Sequence, residues 1–495
     1  MIDRSDVLED ADSEVALARA KRLPSRPDPA QIRPDGATKP QLRTDHRRGG
    51  MSLRDRLDRR FAVSASGSTL GRETLGGFTT FLSMAYIAVV NPVFLTAAGI
   101  APEDAILATI AAAAFATILM GLAANLPVAL APGMGLNAFF AYTICIQHKV
   151  PWQTGLGLLA IVAIVFLGLT LSRIREMLTE AVPKTLRFAS AVGIGLFISV
   201  IGLEQSGIVV ADRATLVTLG DLRSPPTLLA LAGLAVTLAL MARGARAAVF
   251  WGMATTVAIG WASGVVDIGP PWMRLPRGRF PGLEMDLAGA LRLDLLPLAV
   301  VLLFFAIFDA MGTLFAVGAE AGLLDEQGRF PRLGVALMVD AIGALAGALA
   351  GTSSVTCYIE SATGAAVGAR TGLANLVTGG CFLAALFLIP LVAQIAAGIR
   401  VGDHVFYPVT APALIVVGVL MAQTVVRIDW SDLTEAAPAF LTLALMPATF
   451  SISHGLAAGF VSYAGMKLAA GRAREAHWLV YAIALLFTWR YLFLS

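Results

Sequence analysis

Residues 127–144 read PVALAPGMGLNAFFAYTI, and this stretch governs how the rest of the chain is read. It is apolar enough for a membrane core, yet Pro127, Pro132, Gly133 and Gly135 all oppose a continuous helix. A proline costs about 3 kcal/mol in a helix interior and a glycine about 1 kcal/mol. A second stretch of this character lies at 351–372, GTSSVTCYIESATGAAVGARTG, dense in Gly, Ser and Thr and carrying Glu360. Irregular backbone at membrane depth persists only where protein covers it or where it lines a cavity. Paired, interrupted segments at matching places of two halves point to a transporter's binding site.

The surrounding composition agrees. The 495 residues are 57% hydrophobic and 14% charged, with a mean hydropathy of +0.75. Soluble domains are about 45–50% apolar and about 25% charged. Residues 1–50 hold 19 of the 71 Lys, Arg, Asp and Glu, and the rest is too poor in charge to cover a soluble surface. A soluble enzyme, a nucleic-acid-binding protein and a secreted disulfide scaffold are excluded. Cys145, Cys357 and Cys381 sit in apolar stretches and read as packing residues. No Walker A, HExxH or GxSxG with a triad occurs, so no enzyme activity, metal or cofactor is expected.

A bilayer crossing needs about 20 mostly apolar residues. Such stretches fall near 74–98, 104–124, 127–144, 152–172, 183–203, 226–242 and 247–265, then near 295–318, 334–350, 353–368, 373–397, 408–426, 434–450 and 454–470. That is an all-α polytopic membrane protein of about fourteen segments, seven plus seven, with segments 3 and 10 broken. An odd number per set forces the two sets to be inverted. The organisation expected is a disordered extension at 1–50, an amphipathic cytoplasmic segment at 51–71, repeats at 72–265 and 295–470 joined by 266–294, and an apolar segment at 471–495. The last, Trp478–Leu494, is either a fifteenth crossing or interfacial, and Met51 is the expected true start. With the N-terminus cytoplasmic, inner loops carry thirteen Lys and Arg and outer loops eight, the expected bias. The loop 267–294, with Arg274, Arg277, Arg279 and Arg292, runs against it.

Two acids stand inside crossings. Asp309 lies in FFAIFDAMGTLFAVG and Glu360 halfway along the tenth segment. A carboxylate at the bilayer centre costs at least about 2.5–3.5 kcal/mol, so such a residue is functional by default. A protonatable acid beside a substrate is what a proton symporter needs. The alternative is that one of them only hydrogen-bonds the broken backbone. Asp340, among small neighbours in ALMVDAIGALAG, reads as helix-packing glue. Asn137 either pairs with a base edge or caps a half-helix. Tyr358, Phe139 and Phe308 either stack on a planar ligand or simply pack.

These residues resemble a known family. GGFTTFLSMAYIAVVNP, LPVALAPGMGLNAFFAYT, FDAMGTL, GTSSVTCYIESATGAAVGARTGL and the PAL–VG element of TAPALIVVG are similar to the AzgA-like purine permeases of the nucleobase–ascorbate transporter superfamily. The resemblance covers roughly residues 72–494. It implies the uracil-permease fold, with a core of segments 1–4 and 8–11 and a gate of segments 5–7 and 12–14. It also implies proton-coupled purine import through the cytoplasmic membrane by movement of core against gate, in a homodimer. Carried over by motif, Asp309, Glu360 and Asn137 resemble the purine-holding groups, with Ser361, Thr313 and Thr80 beside them. Asp309 and Glu360 are the proton-coupling candidates. Many relatives carry a second acid one turn before the FDxxGT motif, where this chain has Ala306. The base is left open between adenine and guanine or hypoxanthine, with a lean to the latter. An anion transporter of the same fold, or a channel, is the rival reading.

Overall fold

The computed structural model describes residues 52–172, 182–325, 329–330, 332–402 and 404–493. The expectations for residues 1–50, for Met51 and for the Phe308 side chain lie outside the described residues. Helix α1 (Leu53–Phe61) is capped by Ser52, whose Oγ accepts from the Asp55 N–H. Phe61 and Val63 bury against Leu373. Arg60 donates to the Leu122 carbonyl and Asn125 to the Phe61 carbonyl, both at 2.9 Å, so the amphipathic segment docks on the chain's own transmembrane helices.

The first seven crossings follow the apolar runs. They are α2 with α3 (Leu70–Met84, Ile87–Ala97), α4 (Pro102–Leu119), a broken third segment, α6 (Trp152–Leu171), α7 (Lys184–Gln205), α8 (Pro225–Ala242) and α9 (Ala248–Ala262). The third segment is strand β1 (Leu130–Pro132) followed by α5 (Met134–Ala138), which widens into π-type turns to Gln147. A hairpin, β2 (Val209–Asp212) with β3 (Leu216–Leu219), links α7 to α8. After the short helix α10 (Leu287–Ala290), the second set repeats the order: α11 (Leu296–Glu320), α12 (Leu333–Ala350), a broken tenth segment, α14 with α15 (Gly372–Ala385, Ile389–Ala396), α16 (Ala411–Ala422), α17 (Leu433–Ala448) and α18 (Ile452–Ala469). The tenth segment is β4 (Val355–Cys357) and α13 (Ser361–Ala366). A hairpin of β5 (Ile399–Val401) and β6 (His404–Phe406) precedes α16, matching the one before α8.

Packing divides these helices as the fold requires. Helix α14 lies on α2 and α4, α12 on α4 and α6, and α11 on α6, β4 and α13, which builds the core domain. Helix α7 packs on α16 and α17, α17 on α18, and α8 on α9 and α16, which builds the gate. With few large residues at the contacts, backbones approach closely. A Cβ added at Gly372 would stand 2.0 Å from the Gly121 carbonyl oxygen.

Part of the positive charge of the loop that runs against the bias is met where it lies. Arg274 pairs with Glu103, Arg292 with Asp294, and the Arg279 N–H donates to Asp104. The Gly289 N–H and the Thr154 hydroxyl hold the Asp286 carboxyl below the usual range. The final helix, α19 (Trp478–Phe493), runs antiparallel to α18 over its whole length. Tyr481 bonds the Ala473 carbonyl beyond one end of α18, and Arg490 bonds Ser453 at the other.

Candidate functional site

Where the two broken segments meet, their extended pieces pair with each other. Strands β1 and β4 are antiparallel, with Leu130 opposite Cys357, Ala131 opposite Thr356 and Pro132 opposite Val355. The Gly133 N–H donates to the Ser354 carbonyl and the Tyr358 N–H to the Ala129 carbonyl, both at 3.0 Å. Side chains take up the remaining backbone groups. Ser361 Oγ accepts from the Ala129 N–H, Asn375 donates to the Val128 carbonyl, Thr117 meets both the N–H and the carbonyl of Leu130, and Asp340 accepts from the Cys357 N–H. Buried backbone polar groups must be paired, and this accounting explains how two non-helical pieces persist inside a helical core. Asp340 is 1% exposed and performs the task that the sequence left as an alternative for Asp309 or Glu360.

Asp309 and Glu360 both border this junction. Asp309, from α11, has Asp340, Thr356 and Glu360 as its polar neighbours, and its carboxylate lies close to Gly133 of the third segment. Glu360 directly precedes α13, and its Oε1 accepts from the Tyr86 hydroxyl at 2.7 Å. Both residues are partly exposed as whole residues. The other candidates are more enclosed. Asn137 is fully buried, donates to the Pro132 carbonyl at 3.4 Å and accepts from the Ser353 hydroxyl. Ser361 is spent on Ala129. Thr80 is buried against the back of α13, where a Cβ added at Gly364 would meet its hydroxyl at 2.1 Å. Thr313 stands one turn beyond Asp309, partly exposed. Phe139 is buried, and the Tyr358 hydroxyl bonds the Pro132 carbonyl at 2.5 Å. Ala306, where relatives of the resembled family carry a second acid, faces a small apolar cavity with Leu136, Phe166 and Ser354.

Tyr86, Ser353 and Glu73 are parts of this arrangement that sequence reasoning did not single out. Tyr86 lies in TFLSMAYI, and a phenol inside a crossing must find a partner. That signal was legible, but the identity of the partner 274 positions away was not. Glu73 is fully buried and accepts from the N–H groups of Arg370 and Thr371, which ties the end of the tenth segment to the first crossing.

Inverted repeats, a core and a gate, and two broken segments that pair strand to strand are the architecture of a membrane permease, not an enzyme. Residues 71–457 match the Permease family designated Xan_ur_permease, and the chain belongs to that family. Adenine permease AdeP of Escherichia coli is 42% identical over 444 residues, covering 89% of this chain and 96% of its own. Guanine/hypoxanthine permease PbuG of Bacillus subtilis is 39% identical over 451 residues, covering 88% and 99%. Among solved structures, the transmembrane domain of the cyanobacterial bicarbonate transporter BicA superposes with a TM-score of 0.56 at 17% identity, covering 79% of this chain and 97% of that one. That likeness concerns the fold alone.

Proposed function

We propose that this permease imports purine nucleobases across the cytoplasmic membrane together with protons. The observation that carries the reading is that Asp309, from α11, and Glu360, from the tenth segment, border the same junction of the two broken segments. A pair of acids suits the ring N–H donors of a purine and disfavours an anion. The relatives named for adenine and for guanine/hypoxanthine support the substrate class. Their identities of 42% and 39% are too close to choose the base.

In this mechanism a proton from outside neutralises one of the two acids, and a purine then binds with its N–H groups on the carboxylate oxygens. Thr313 stands beside the base, Asn137 and Ser361 hold the extended pieces in register, and Thr80 supports α13 from behind. The loaded core slides past the gate, with 72–265 and 295–470 as the two repeats, the N-terminus cytoplasmic and the working unit a homodimer. Sliding is favourable only when the charge of the site is compensated, because a bare carboxylate crossing an apolar interface is costly. That condition alone couples proton to substrate.

The test is uptake of radiolabelled hypoxanthine and adenine in cells lacking their own purine permeases, with guanine, xanthine and uracil as competitors. Saturable uptake that a protonophore abolishes supports the reading. Absence of uptake by protein that reaches the membrane overturns it.

A further inference from the structure

The first crossing carries two hydroxyls on one face, three residues apart, and both reach the turn that opens α13. Ser83 Oγ lies 2.9 Å from Thr363 Oγ1, and the Tyr86 hydroxyl donates to Glu360 Oε1 at 2.7 Å. Thr363 in turn donates to the Glu360 carbonyl at 2.7 Å. The two contacts therefore address the same short turn, one through a hydroxyl and one through the carboxylate. Tyr86 occupies the interruption between α2 and α3 and is 2% exposed. Among the described residues no other side chain donates to the Glu360 carboxylate.

We infer that Tyr86 is a positioning and specificity-determining residue of the transport site. Its O–H occupies Glu360 Oε1, the residue's own backbone N–H is the carboxylate's other donor, and the remaining acceptor capacity is left for a ring N–H of a planar heterocycle. A hydrogen bond to an ionised acceptor is short and directional, so it fixes the carboxylate plane as well as its charge. Without it only the residue's own backbone N–H holds the carboxylate, whose terminal torsion is broad for a glutamate, and a bound heterocycle meets a less directed acceptor. The inference rests on the purine reading above and adds to it the group that orients one of its two acids.

The comparison of Tyr86→Phe with Ser83→Ala tests this. Phenylalanine keeps the buried ring and removes one hydroxyl. Ser83→Ala removes the neighbouring hydroxyl from the same face without touching the carboxylate. Initial rates of hypoxanthine and adenine uptake are measured against concentration and pH, with the amount of protein in the membrane determined for each variant. Tyr86→Phe is expected to raise KM about tenfold or more, the usual loss when a hydrogen bond to a charged group goes, and to displace the pH profile of KM. Ser83→Ala is expected to leave both close to wild type. A Tyr86→Phe protein with wild-type KM and pH profile overturns the inference. So does a Ser83→Ala protein with an equal rise, since the two hydroxyls would then only fasten the first crossing to the tenth segment. Wild-type protein that takes up no purine overturns the function itself, a result distinct from either.

Discussion

The third and tenth segments break alike, pair strand to strand and each resume as a helix, yet their polar groups end in different places. In the third, Asn137 is wholly buried and both ends of its amide are engaged by Pro132 and Ser353. In the tenth, Glu360 keeps part of its surface and has one side-chain partner, Tyr86, arriving from another crossing. Their trailing ends differ as well. The third finishes on His148, which Arg490 of α19 contacts at 2.8 Å, and the tenth finishes on backbone N–H groups held by Glu73. Two segments related by an inverted repeat therefore share a backbone solution and divide the chemistry. One joins the halves, and the other presents a charge.

The largest effect expected from this division is on transport. Asp309→Asn and Glu360→Gln each keep the side-chain volume and remove the charge, and each is expected to abolish purine accumulation while the protein still reaches the membrane. Wild-type accumulation in either variant removes that acid from the mechanism and leaves the tenth segment no more chemical than the third.

A smaller effect, on stability, is expected in the third segment. Asn137→Ala leaves the Ser353 hydroxyl without its acceptor and the Pro132 carbonyl with one donor fewer in a fully buried place. An unsatisfied buried group costs about 1–3 kcal/mol. Ser353→Ala is expected to fall in the same range, and the double variant to cost less than the sum of the two, as residues sharing one hydrogen bond do. Thermal denaturation of the detergent-purified protein reads this. If Asn137→Ala instead weakens purine binding as steeply as loss of the Tyr86 hydroxyl, the third segment presents a polar group too and the contrast disappears.

Why the sequence reached as far as it did follows from these same residues. Fourteen crossings were legible because hydrophobic runs and their Pro and Gly interruptions are local signals, and the two breaks fell where 127–144 and 351–372 placed them. Asp309 and Glu360 were legible because a charge inside an apolar run has no cheap explanation. The pairings were not. Nothing local in TFLSMAYI points Tyr86 at Glu360, and nothing near Asp340 shows that it holds the Cys357 N–H. Such contacts depend on how the repeats fold onto each other, which periodicity does not encode. Glu73 precedes the apolar run, where a charge carries no local sign of burial, yet it is buried at the end of the tenth segment.

That end supplies the next prediction. Glu73→Ala leaves the Arg370 and Thr371 N–H groups without their acceptor. The cost is expected at the lower end of about 1–3 kcal/mol, because Arg370 is partly exposed and water can replace the carboxylate there. A lowered unfolding temperature with unchanged KM is the expected outcome. A raised KM with unchanged stability would mean that the tether acts on the site and not on the fold.

The smallest expected effect separates the two trailing ends by pH. Burial first, and then Arg490 and His454, hold the His148 imidazole down from 6.5 to about 4. Arg490 donates to Nε2, so the native structure favours the neutral ring. Between about pH 6.5 and about 4 the unfolded chain binds a proton at this position that the native state does not. Stability therefore falls as the pH is lowered through that window and is regained as the pH rises. His148 is only partly buried, and solvent screens much of the effect. The wild-type unfolding temperature is expected to decline across the window, and His148→Asn, which keeps a neutral polar group, is expected to flatten that decline. The end held by Glu73 has no imidazole. Equal slopes in wild type and His148→Asn would show that the third segment is anchored at that end by packing, and not by the contact between Arg490 and His148.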